Sequence, residues 1–160
     1  MTSIYLRTWP DPILTQPSGP VTDFGKEFQA LVDSMLTLMH LERGVGLAAP
    51  QVGVLQRVFV TAFDEYPVFV NPRELSLGEM TSLEEGCLSF PGVWIDGVPR
   101  SRDVSGVAQD RRGKEFEFSV SGLLSQCIQH ETDHLNGVVM LDHVNRKQRR
   151  SIEARILKKS

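Results

Sequence analysis

The run QHETDHLNG at residues 129–137 carries two histidines, His130 and His134, four positions apart, with Glu131 between them. On a helix that spacing sets the imidazoles about 40° apart around the axis and one turn apart along it, so both reach a single metal ion. Glu131 lies roughly 100° from His130, which places its carboxylate beside the ion rather than on it, where it can take a proton from bound water. The pattern predicts a hydrolytic metal site of the HExxH kind. Two histidines on one helix also arise by chance, so the flanking residues decide the reading. Leu124, Ile128 and Leu135 mark a buried helix, in which Glu131 and Asp133 are costly without partners.

A catalytic metal site needs a third protein ligand and keeps one position for water. The chain has two cysteines, Cys87 and Cys127. Cys127 precedes His130 by three residues on roughly the same helix face, but an ion held between the imidazoles sits on the order of 6 to 7 Å further along the axis. A thiolate bond of ~2.3 Å does not span that distance. Cys127 is therefore either pocket floor or plain core packing. Cys87, in LEEGCLSFPG, is the preferred ligand, with Gly86 allowing close backbone approach and Leu88 and Phe90 anchoring the segment.

Holding these groups requires a rigid scaffold. The opening, with Pro10, Pro12, Pro17 and Pro20, reads as extended loop. Thr22 or Asp23 then caps a first helix with Phe24, Phe28, Leu31, Val32, Met35, Leu36 and Met39 at helical spacing, ended by Gly44. From Arg57 to about Phe118 the runs RVFVTAF, YPVFV, VSGVAQ and KEFEFSV read as antiparallel strands between turns. A second helix begins near Ser121 and closes at Gly137, carrying the metal motif. A third fills 145–159, with Ile152, Ile156 and Leu157 as its apolar stripe. The fold class predicted is α+β, a small single domain over 1–160 in which antiparallel strands pack around a central metal-binding helix, with N-terminal and C-terminal helices.

Bulk properties fit that scheme. At 160 residues the chain buries a sizeable core, and its composition, 41% hydrophobic and 23% charged, is that of a soluble protein. Neither a membrane span nor a secretory leader is read, which points to the cytoplasm and to reduced thiols. The net charge of −3 is uneven, because residues 146–160 hold seven Lys and Arg against Glu153 alone, leaving −9 elsewhere. The whole protein is not a general nucleic-acid binder, although the tail can meet phosphate.

Three segments, GVGLAAPQ at 44–51, EGCLS at 85–89 and QHETDHLNG at 129–137, together resemble peptide deformylase, in the order and near the spacing of that family. Weaker similarity spans almost the whole chain, including DPIL, VFVNP and SGLLSQCIQHE. The resemblance implies that Cys87, His130 and His134 hold one divalent metal, iron(II) in cells, with zinc, nickel or cobalt as substitutes. It implies an N-formylmethionyl peptide as substrate. Glu131 would take a proton from metal-bound water and pass it to the departing amine, releasing formate. The Gln51 amide and the Leu88 N–H would stabilise the oxyanion. Without the family, Gln51 reads as a loop amide bonded to backbone.

The resemblance further places an apolar methionine pocket near Val45, Leu83, Leu123, Cys127 and His130, and sets Glu85 behind the site, paired with Arg100. Val45 and Gly46 would meet the extended peptide as an added strand, against the plainer reading of a helix-ending turn; Gly86 would line the substrate path. Gln126 and Trp94 depart from the usual family pattern. Arg146, Lys147, Arg149, Arg150, Arg155, Lys158 and Lys159 would face ribosomal RNA, or simply solvent, and a monomer is expected. A zinc endopeptidase would leave EGCLS and GVGLAAPQ unexplained, and a non-catalytic ribosome-binding module would have no need of the catalytic residues.

Overall fold

The computed structural model describes residues 4–159, without the side chain of Lys159, which therefore lies outside the described residues. Helix α1 spans Lys26–Leu41 and strand β1 spans Gly46–Ala48. Then follow β2, Val58–Thr61; β3, Val68–Leu77; β4, Met80–Gly86; β5, Trp94–Ser101; β6, Asp103–Gln109; and β7, Glu115–Ser121. Helix α2 spans Gly122–Leu135 and α3 spans Arg146–Lys159. Short 3-10 turns occupy Pro12–Thr15, Ala49–Val52 and Met140–His143.

Five strands form an antiparallel sheet in the order β1-β2-β3-β6-β7, and β4 pairs with β5 as a separate ribbon. Strand β2 is buried on both faces, since Val58 and Val60 pack with α1 while Phe59 packs with α2. In β3, Val68 and Val70 face α1 and Phe69 faces α2. This is the period-2 alternation of a strand between two layers, and it explains why VFV at 58–60 reads as a continuous apolar run. The sheet is thus sandwiched by α1 and α2. A third cluster, with Leu14, Phe90, Ile95, Val98, Met140 and Ile152, joins the ribbon to the N-terminal segment and α3.

Several expectations change. The first helix starts at Lys26, not at Thr22 or Asp23, because the Asp23 carboxylate accepts the Gly25 N–H at 2.9 Å and forms a turn before the helix, which leaves Phe24 outside it. Arg43 rather than Gly44 takes the left-handed conformation after α1, at φ 56°. Strands β1, β4 and β5 were not read individually from the sequence. Strand β5 contains Gly97 and Pro99, both unfavourable in a central strand but tolerated in a two-stranded ribbon. Along α3, Ile152 is buried and Ile156 packs on the third cluster, but Leu157 is 65% exposed and does not extend the stripe. Among the described residues no helix is long and apolar enough to cross a membrane.

Candidate metal centre and active site

Helix α2 crosses the core with ten of its fourteen residues buried, including the polar Gln129, His130, Glu131 and His134. Its rotation is fixed by Gln129, whose Oε1 accepts the Ser101 N–H at 2.8 Å and whose Nε2 donates to the Ser101 carbonyl at 2.9 Å. With α2 locked to β5, the HExxH face points at the loop that follows β4.

There Cys87, His130 and His134 converge. The Cys87 Sγ lies 3.4 Å from His134 Nε2, which lies 3.2 Å from His130 Nε2, and all three donor atoms fall within 4.8 Å of one another. Ligands at tetrahedral angles on one ion, with bonds of 2.0 to 2.3 Å, are separated by roughly 3.3 to 3.6 Å. The donor set, one sulfur and two imidazole nitrogens facing a common point, fits a divalent metal. Cys127 stays out of the cluster as expected; its thiol donates to the Val45 carbonyl at 3.5 Å.

Behind the ligands is a buried ionic network. The Arg100 Nε and Nη2 donate to the two Glu85 oxygens at 2.9 and 2.7 Å, and Nη1 donates to Asp133 at 2.7 Å. Glu85 also hydrogen-bonds His130 Nδ1, which turns His130 Nε2 toward the metal position. Asp133 accepts from Arg100 and pairs with His143 Nε2 at 2.9 Å. Burial opposes the Glu85 charge, but Arg100 and His130 hold its carboxyl well below the ordinary carboxylate range. The predicted Glu85–Arg100 pair is therefore present, and the roles of Asp133 and His143 are additional. The charge of Asp133 inside a buried helix was the sequence signal for its partner; His143 gave none.

Burial pushes the Glu131 carboxyl up to about 7, against the pull of His130. Burial also opposes charge on His130, yet the neighbouring Cys87, Glu131 and Glu85 hold that imidazole well above its ordinary value. Burial and the neighbouring positive His130 hold His134 well below. The Glu131 Oε1 is buried with no hydrogen-bond partner among the described residues. Its Oε2 lies so close to β1 that a Cβ on Gly46 would come within 2.7 Å of it and of the Cys127 Sγ. Only glycine admits that approach.

A cavity of about 490 Å³ opens over this centre. One wall is residues 42–46, the other residues 84–88 and 91–94, and the floor is Leu123, Gln126, Cys127, His130 and Glu131. Gln51 reaches in from the Ala49–Val52 turn, which is buried throughout. Its Oε1 accepts the Ala48 N–H at 2.9 Å, which turns its Nε2 toward Ser89 Oγ at 3.1 Å and Cys87 Sγ at 3.6 Å. The Leu88 N–H has no protein acceptor among the described residues. Val45, Gly46, Glu85, Gly86, Leu123 and Cys127 all line the cavity. Leu83 does not; it pairs with Val98 in the ribbon, and the ladder shifts register between Leu83 and Glu85, so that Glu85, not Leu83, reaches the cavity. Ser89, fully buried beside Gln51, was not singled out from the sequence.

The family model described as Polypeptide deformylase matches residues 4–150. The chain is 39% identical to the peptide deformylase of Chromobacterium violaceum, over 99% of this chain and 97% of that one. It superposes on a crystal structure of a peptide deformylase from Legionella pneumophila with TM-score 0.91 and 39% identity, covering 96% and 93% of the two chains. For the peptide deformylase of Ehrlichia chaffeensis in complex with actinonin the TM-score is 0.92 at 33% identity, covering 100% and 99%.

Proposed function

The chain belongs to the polypeptide deformylase family, enzymes that remove the N-formyl group of nascent polypeptides, and from that premise we propose how its own residues divide the work. The observation that carries the reading is the buried, unpartnered Glu131 Oε1 beside the Cys87–His130–His134 cluster. Glu131 takes a proton from the attacking water and delivers it to the amine as the formyl C–N bond breaks, so that formate and a free N-terminus leave. A carboxyl raised toward neutrality suits both transfers. When bound by Cys87, His130 and His134, a divalent ion supplies Lewis acidity, polarising the formyl oxygen and lowering the pKa of the attacking water toward neutrality. The Gln51 Nε2, oriented by its bond from Ala48, and the free Leu88 N–H donate to the developing oxyanion.

Val45 and Gly46 hold the peptide backbone by strand addition, while Val45, Leu123, Cys127 and the His130 ring enclose the methionine side chain. Gly86 lines the substrate path, and Glu85 acts through His130 rather than on substrate. Residues 1–160 work as one catalytic domain, a cytoplasmic monomer. The native metal is iron(II), with zinc, nickel or cobalt as substitutes; affinity ordering alone favours zinc over iron, so iron depends on cellular supply. The basic face of α3 docks on the ribosome. Charge reversal at Arg150 and Arg155 should then lower co-sedimentation with ribosomes, and unchanged co-sedimentation would discard that contact.

The decisive experiment is an anaerobic assay of iron-loaded protein on formyl-Met peptides, following free amine, beside Glu131→Ala. Wild-type protein that binds iron stoichiometrically yet releases no formate would overturn the reading.

A further inference from the structure

The mouth of the cavity holds a group that the reaction above does not use. Trp94, the first residue of β5, lines the cavity with 67% of its surface exposed. It stands opposite Gly86 across the β4–β5 ladder, and a Cβ on Gly86 would meet three atoms of its six-membered ring at 2.8 to 2.9 Å. The ring is therefore seated on bare backbone and presents its other side to the mouth. Isolated exposed aromatics are ordinary. This one is seated on the wall of the substrate cavity.

Its surroundings are acidic. Strand alternation places Glu84 on the same outward face as Gly86, and Asp96 on the same face as Trp94. A hydrogen bond from Asp96, followed by its charge, holds the Glu84 carboxyl above its ordinary value, as expected of two carboxyls crowded together without a compensating cation. Glu84 lines the cavity on the Trp94 wall, while Glu42 and Arg43 both line the opposite wall. The arginines that stack on aromatic rings do so elsewhere, Arg7 on Tyr5 and Arg149 on Trp9. The Trp94 face thus carries no cation of the protein among the described residues.

Resting on the deformylase reading, we infer that Trp94 and Glu84 form a downstream subsite that favours substrates with a basic side chain, arginine above all, in one of the two residues after formyl-methionine. A peptide extended along β1 projects successive side chains to opposite sides. With methionine turned into the cavity, the side chains that follow reach the mouth. A guanidinium can lie flat on the indole and still direct N–H groups at a carboxylate, a combination lysine matches only in part.

The test is kcat/KM of the metal-loaded full chain on formyl-Met tripeptides carrying Arg, Glu or norleucine at the second or the third position. Arginine should exceed glutamate about tenfold at one of these positions, and the advantage should shrink as added salt screens the charge. Trp94→Leu should bring the ratio close to one, Trp94→Phe should retain part of it, and Glu84→Gln should remove the salt-sensitive part. Turnover without discrimination in the wild type, or a ratio that survives both Trp94→Leu and Glu84→Gln, overturns the subsite alone. No turnover on any peptide overturns the deformylase reading and this inference with it.

Discussion

Glu131 and Gly46 meet at van der Waals range, and each constrains what the other position tolerates. Glu131→Gln keeps the shape and removes the base, so kcat should fall by roughly 10²- to 10⁴-fold while metal content stays stoichiometric. Loss of metal in that variant would mean that the carboxylate serves the cluster rather than the proton transfer. Gly46→Ala has no room beside Cys127 Sγ and Glu131 Oε2, and should lower kcat/KM at least about tenfold by displacing the carboxylate. Cys87→Ala removes one of three donors, and metal analysis after gel filtration should find the ion largely lost. At this scale the sequence was informative where the spacing was local. His130, Glu131 and His134 follow from the helical period, and Cys127 was excluded by the rise per residue. Asp133, His143 and Ser89 depend on partners far away in the chain, and no local spacing announces those contacts.

Arg100 ties β5 to α2 through Asp133 and to β4 through Glu85 while being only 3% exposed. Replacing it with Met leaves Glu85 and Asp133 without their cation, and a loss of about 3 to 5 kcal/mol in denaturant unfolding is expected. A loss below about 1 kcal/mol would show that water reaches the site and screens the carboxylates. Acid should reveal the same network in metal-free protein. Both carboxyls have folded pKa values below their unfolded ones, so the stability they contribute is present above the unfolded value, about 4, and is lost as pH falls through the folded values. Glu85→Gln should flatten that acid slope. Helices α1 and α2 were legible because their apolar periodicity is long. The ribbon β4–β5 was not, because its exposed alternate positions, together with Gly97 and Pro99, weaken the strand pattern that pairing then enforces.

The three core clusters meet around the metal centre, and α3 closes the assembly by burying Ile152 against Leu14, Phe90 and Met140. Removing residues 146–160 should therefore lower Tm even if the basic face has no partner, and Ile152→Ala alone should cost about 2 to 5 kcal/mol. Chelation should act on the whole molecule as well, because a ligand bound only by the folded state stabilises it by about 2.7 kcal/mol at a hundredfold excess over Kd. Tm should fall with chelator and recover when metal is restored. Strand β1, a three-residue sheet edge beside the cavity, sets a different property. An edge grips any extended backbone through amide groups that every sequence has. A newly made chain that has lost its formyl group keeps all of those amides, so on the proposed strand addition at β1 the enzyme would let go of its product by little more than the contacts of one missing carbonyl. Deformylated peptide should therefore compete with substrate, and crowded product should slow the enzyme well before substrate runs out.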